Sequence, residues 1–438
     1  MVKFTNMSLR QAVKQYIMNP SACEIKYGCI STWDVSGVTD MSNMFNGARS
    51  FNSDITSWNT FNVCDMHGMF AGAHIFNQNL DWDTSKVTDM KYMFEGAKSF
   101  NHDITSWDVS QVTNMSDMFC GAISFNQNIA SWDTSNVCNM HGMFRGARVF
   151  NHDITSWDVS QATNMSDMFC GAISFNQNIA SWDTSNVCNM HAMFYNAITF
   201  NQNITSWDTS NVCNMSKMFH NANTFNGDIS TWNTSEVTDM SYMFHDAKSF
   251  NQNITSWNTS NVCDMHGMFS RATSFNQNIT SWDVSQVTNM SYMFFQAYAF
   301  NQTITSWNTS NVCDMRFMFN YANAFNGDIT SWDVSHATNM SGMFQGALVF
   351  NHDIGKWKVS NECNICDIFD GAPSLNCDVS HWDRCELKEY MRKRAEKIKY
   401  TFISSYRRSY EEYRGVFHVL RVRGNPGEAI FRRITSYI

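Results

Sequence analysis

The cysteines are the first residues whose chemistry needs an account. Seven share one column at multiples of 25 residues, give or take one: Cys64, Cys138, Cys188, Cys213, Cys263, Cys313 and Cys363. Four begin a Cys-x-x-His pair (Cys64/His67, Cys138/His141, Cys188/His191, Cys263/His266), and Cys363 with Cys366 makes one Cys-x-x-Cys. Thiolate and imidazole at that spacing are zinc ligands, but a structural zinc takes four in a tetrahedron. Each unit supplies only two, and neighbouring units place Thr or Ser at the same columns, so no metal is expected. Seven other units hold Thr in the cysteine column (Thr39, Thr88, Thr113, Thr163, Thr238, Thr288, Thr338). Cys and Thr are similar in size, which predicts a small, semi-buried ladder position occupied by thiols rather than disulfides.

Carboxylates raise a second possibility. Asp54, Asp103, Asp153, Asp228, Asp328 and Asp353 share a column, and a row of Asp could hold calcium in a β-helix. Half of that column is Asn and the glycine-rich nonapeptide is missing, so no calcium is expected. The sequence shows no nucleophile motif, P-loop or dinucleotide fingerprint. It reads as a non-enzyme with no cofactor.

What must position these residues is a ruler. Fifteen tryptophans run from Trp33, Trp58, Trp82 and Trp107 in steps of 25 to Trp382, with one step of 24 at Trp82. A fixed period in this range marks a solenoid, whose units bury a core only against their neighbours. Fourteen units carry Met-Phe or a close relative, from Met44-Phe45 to Ile368-Phe369, and a second aromatic column runs from Phe51 to Phe350. Residues 101–143 and 151–193 differ only at Val112/Ala162 and Gly142/Ala192, as after a tandem duplication.

Met41, Met44, Phe45 and Ala48 follow the i, i+3, i+4, i+7 spacing of one helical face. The stretch Phe-Asn-x-x-Ile-x-x-Trp is too short for a helix and ends in Asp/Asn-x-Ser turn chemistry. The sequence therefore predicts a right-handed α/β solenoid of the leucine-rich type, one short strand and one short helical turn per unit. An N-terminal helix over about 8–18 would cap it. The divisions are 1–30 as a helical cap, 31–383 as the array, and 384–438 as a basic cap or tail.

Charge supports that last division. Residues 384–438 hold 14 Lys+Arg against 6 Asp+Glu, leaving 16 against 33 in residues 1–383, so +8 faces −17. Arg392, Lys393, Arg394, Arg407, Arg408, Arg432 and Arg433 could meet nucleic acid or anionic lipid, although a helix covering the last coil is the simpler role. No apolar run reaches the ~20 residues of a membrane span. The first twenty residues lack a secretory h-region, which favours a cytoplasmic, intracellular reading over a secreted one.

VTDMSNMF (38–45), FNQNITSWDTSNV (200–212) and ISTWDVSGVTDMS (30–42) resemble the BspA-like leucine-rich repeat family, the bacterial surface protein repeat also abundant in mycoplasma lipoproteins and found in protists and large DNA viruses. Ser8 to Lys14, followed by Tyr27-Gly28, resembles that family's opening segment. The resemblance covers about residues 8–383. It implies a leucine-rich-repeat-like solenoid that binds proteins or surfaces, with no catalytic residues to carry over.

Variable positions mark the surface of an array. Most units place Ser, Gly, Asp or Asn beside the Met-Phe pair, whereas later ones place Tyr195, Tyr242, Tyr292, Phe295, Tyr298, Phe317 and Tyr321 there. Stacked coils would align these into an exposed aromatic stripe, the candidate partner-binding surface. The expected function is a non-catalytic, monomeric scaffold for a protein partner. An exported adhesin, or nucleic-acid association through the basic tail, are the alternatives.

Overall fold

The computed structural model describes residues 2–382 together with Arg392, Glu396 and Ser404. It has two compact units, Met1–Cys377 and Asp378–Ile438. In the second, Ser380–Trp382 forms a 3-10 turn, and Arg392 pairs with Glu396 one helical turn on at 2.7 Å. The remaining tail residues singled out above lie outside the described residues.

The first unit opens with α1 (Asn6–Met18) and α2 (Pro20–Tyr27). Thr5 and Ser8 form a capping box at the start of α1, satisfying amides that a helix end leaves free. Leu9, Ala12, Val13 and Tyr16 form its buried stripe. Asn6 accepts from the Thr39 amide at 2.9 Å and Arg10 pairs with Asp40 at 2.6 Å, so α1 covers the open edge of the first coil. The expected cap helix is thus present, two residues longer at its start and followed by a second helix. Asn19 caps α2, Pro20 sits at its first turn, and Gly28 at φ 80° ends it.

From residue 33 each coil adds the same inward set. The tryptophans, both phenylalanine columns and the Ile, Met and Ala columns are buried, most at 0–4 % exposure. Trp107 and Trp132 stack with parallel rings 6.5 Å apart, and within one coil Phe119 lies 3.9 Å from Phe125. Burial of an indole N–H without an acceptor would cost free energy. Each tryptophan from Trp58 to Trp357 instead donates to a backbone carbonyl of the preceding coil, as Trp58 does to Ile30 at 2.9 Å and Trp207 to Ile179 at 2.9 Å. An asparagine ladder runs beside them: the amide of Asn126 donates to Asn101 Oδ1 at 2.8 Å, that of Asn151 to Asn126 at 3.0 Å, and the pattern continues.

The strand and the helical turn expected in each coil are both absent among the described residues. Coils meet through single parallel bridges, such as Asp40 with Asp65 and Asn189 with Asn214. In the Met-Phe segment alternate amides leave the coil: Met41 donates to Asp65 at 2.9 Å, Asn43 to His67 at 2.7 Å, Phe45 to Met69 at 2.8 Å and Gly47 to Ala71 at 2.7 Å. The amides between them close i to i−3 turns, as Met44 does on Met41. A helix would spend all of these donors within one coil and leave nothing to join it to the next. The spacing read as a helical face does place Met41, Met44, Phe45 and Ala48 inward, but on two consecutive turns.

The Cys/Thr column behaves as one position in most coils. Cys138 Sγ donates to the Thr113 carbonyl at 3.3 Å, and Thr163 Oγ1 to the Cys138 carbonyl at 3.3 Å. Its cysteines from Cys64 to Cys313 are exposed free thiols, not semi-buried, because the ladder points outward from the bridges.

Candidate interaction face

Two residues in each coil of the Met-Phe segment, four apart, have positive φ, the left-handed conformation that redirects the chain between turns. Glycine adopts it without cost, whereas a side chain there is unusual and a bulky one is a signal. Early coils use Gly, Asn or Asp, apart from Tyr92 (φ 58°). Later ones place Tyr242 (φ 55°), Tyr292 (φ 58°), Phe317 (φ 54°) and Tyr321 (φ 51°) there. The large ring leans over the next coil, where glycine makes room: a Cβ on Gly267 would lie 2.7 Å from the Tyr242 ring, and one on Gly342 would meet the Phe317 ring.

Outward rings from six successive coils then touch in sequence. Tyr195 stacks on His220 at 4.5 Å and His220 on His245 at 4.4 Å. His245 meets the edge of Tyr242 at 5.5 Å, and Tyr242 the edge of His266 at 4.5 Å. His266 contacts Tyr292 at 5.7 Å; Tyr292 contacts Phe295 at 5.7 Å and Phe317 at 5.0 Å. The Arg316 guanidinium lies 5.9 Å from the Tyr292 centroid. The structure thus brings together five of the seven aromatic candidates, all half-buried. Tyr298 and Tyr321 stand outside this run among the described residues and are exposed at 44 % and 47 %.

The histidines in the run went unnoticed as surface residues in the sequence. His266 was visible only as half of a Cys-x-x-His pair, and in the structure both of its ring nitrogens have protein partners. Ser291 Oγ donates to Asn289 Oδ1 at 2.6 Å, so its one proton is committed. His266 Nδ1–H therefore donates to Ser291 Oγ, and Nε2 accepts from the Tyr242 hydroxyl. His141 with Ser166 and His191 with Ser216 repeat the first half of this relay at 2.7 Å. Cys263 meanwhile turns its thiol to the Thr238 carbonyl, and no group of three or more His, Cys, Asp or Glu among the described residues is placed to hold a metal ion.

Burial sets the charge of this band. It drives His220 down to about 4, with His245 and Lys217 adding repulsion. Burial likewise lowers His245 and His266. Nδ1 of both His220 and His245 is buried without a hydrogen-bond partner.

Coils nearer the N-terminus use the same columns differently. Asp117, only 2 % exposed, pairs with Arg145 at 2.9 Å and lies 3.8 Å from His141 Nε2. Arg145 Nε also donates to Cys120 Sγ at 3.3 Å. Burial raises the Glu95 carboxyl, helped by Asp117, and pushes the Cys170 thiol up to about 12. Asp117 Oδ1 is buried without a hydrogen bond and is met only by the Arg145 charge.

The coils define the class: a repeat solenoid whose units bury their core only against neighbouring coils. A family description of a mycoplasma protein of unknown function, DUF285, matches residues 15–130, 79–180, 101–207, 193–307 and 295–406, and the chain belongs to that family. No curated protein matches. Among solved structures, the TLR13–ssRNA13 complex is 9% identical over 79% of this chain and 54% of that one, with a TM-score of 0.24. This chain thus spans about half the length of the TLR13 chain. A leucine-rich repeat protein from Eubacterium ventriosum is 10% identical over 73% and 86% of the two chains, with a TM-score of 0.30. The functional domain of InlJ from Listeria monocytogenes is 7% identical over 68% and 62%, with a TM-score of 0.20. No helix among the described residues is long and apolar enough to cross a membrane.

Proposed function

We propose that the chain is a non-catalytic scaffold that binds a protein partner through the aromatic run of its later coils. The carrying observation is the unbroken ring-to-ring path from Tyr195 to Phe317, built partly from aromatic residues held at positive φ. Bulky residues at such positions are strained by about 1–3 kcal/mol each, and strain of this kind collects at functional sites. The fold does not need it, because every early coil but that of Tyr92 closes the same turns with Gly, Asn or Asp. Tyr298 and Tyr321 would extend the contact as exposed rings at its margin. Half-buried Tyr, His and Phe suit an apolar protein surface, and rigid aromatic anchors commonly dominate such contacts.

A direct test substitutes Tyr242→Asn, Tyr292→Asn and Phe317→Gly together, each to a residue type that other coils use at positive φ. A protein captured by the full chain from the cells that make it should be lost from this variant and kept by Glu95→Gln. Equal capture by both would remove the aromatic run from the account.

A further inference from the structure

The Cys/Thr column holds cysteine in two consecutive coils at one place only, Cys188 and Cys213; elsewhere at least one threonine intervenes. Both thiols are free and exposed. The Cys213 amide donates to the Cys188 carbonyl at 3.0 Å and Cys213 Sγ to the same oxygen at 3.2 Å. The next residues, Asn189 and Asn214, form a parallel bridge. Backbones paired this way run about 4.8 Å apart, inside the roughly 4.4–6.8 Å Cα separation that a disulfide spans. Cys138 and Cys263 each lie two coils from the nearer member of the pair, too far to compete.

We propose that Cys188 and Cys213 are a redox-responsive pair, which a small disulfide of the oxidised-glutathione class converts to an intramolecular disulfide. The thiolate of one cysteine attacks the donor and releases the first glutathione thiolate. The second cysteine's thiolate attacks that mixed disulfide at the protein sulfur and releases the second. The two protons from the cysteines end on the two glutathiones, so two protein thiols and one oxidised donor give one protein disulfide and two reduced glutathiones. The closed ring contains Tyr195, so the bond ties the first coil of the aromatic run to the second, which carries His220. Threonine fills the column in neighbouring coils with the same hydrogen bond, as Thr163 does, so the pair is not needed for the ladder.

The test treats the native full chain with oxidised glutathione, caps remaining thiols by alkylation and cleaves without reduction at aspartate. Cleavage at Asp183 and Asp208 puts the two cysteines on separate peptides. The expected product is a cross-link between those peptides, while Cys138 and Cys263 carry glutathione or alkyl groups. Cys213→Thr should abolish the cross-link and leave Cys188 glutathionylated like Cys138. Amide exchange over residues 190–213 should slow on oxidation of the natural chain and not of Cys213→Thr. Separate glutathionylation of Cys188 and Cys213 in the natural chain, with no cross-link, would overturn the proposal.

Discussion

Coils carrying Glu95 to Cys170 and coils carrying Tyr195 to Phe317 have the same interior and opposite surfaces. In both, tryptophans stack 6.3–6.5 Å apart, and their N–H groups bond to the carbonyls of the preceding coil. On the outward positions the first set holds a carboxylate, a guanidinium and an imidazole that answer one another. The second holds rings that meet each other in sequence, with charged groups confined to their flanks, as where Asp246 lies 3.3 Å from His245 and 3.4 Å from Arg271. The core fixes a frame, and selection on a few outward columns decides what the frame presents.

If the interior is common, breaking it should cost the same in either half. Trp132→Ala and Trp207→Ala are each expected to destabilise their coils by about 3–5 kcal/mol through cavity formation. Chemical denaturation followed by local amide exchange would show it, and a twofold difference between the two would deny a shared core. The next effect belongs to one half alone. Arg145→Ala leaves the buried Asp117 carboxylate without its cation, a loss of about 2–4 kcal/mol because Arg145 itself is partly in water. Exchange should rise around residues 115–145 and stay unchanged beyond residue 195.

Acid should act on the other half. His220, His245 and His266 have folded-state pKa values below the ordinary 6.5 because burial disfavours their cations. The unfolded chain therefore takes up protons first as pH falls. Their stabilisation is complete above about 6.5 and declines below it, with the His220 share lost progressively down to its folded value of about 4. The stacked His220 and His245 rings, 4.4 Å apart, resist double protonation. Protection factors across residues 215–270, taken relative to intrinsic exchange at each pH, should fall between pH 6.5 and 4.5, and the His220→Asn, His245→Asn double variant should keep only the smaller His266 share of this response. The smallest effect is at Tyr242. Tyr242→Gly relieves the strain of its positive φ while removing ring contacts, for a net change within about 1 kcal/mol in thermal unfolding. A loss of several kcal/mol would make the ring a core element instead of a surface one.

Much of the frame was legible in the sequence because the columns repeat. The tryptophan ruler marked the coils, and the alternation of Cys64 with Thr88 and Thr113 marked one interchangeable position. The Met41, Met44, Phe45, Ala48 spacing told which side chains face inward. It could not tell whether the amides bond within the coil or across to the next, since both arrangements put those residues on one side. The left-handed positions were hidden for a related reason: Tyr242 and Phe317 are poor residues for that conformation, so only the alignment with Gly68 and Gly142 in earlier coils could suggest it. The histidine relay was obscured because His266 makes its two hydrogen bonds to Tyr242 and Ser291, each about 25 residues away.

The two regions differ in which outward columns would meet a partner. The most direct measurement is hydrogen exchange along the full chain, with and without the protein that copurifies with it. Protection gained on binding should fall on the turn segments between Tyr195 and Tyr321 and leave those between Glu95 and Cys170 unchanged. Protection centred on Glu95 to Cys170, or confined to residues 384–438, would contradict it.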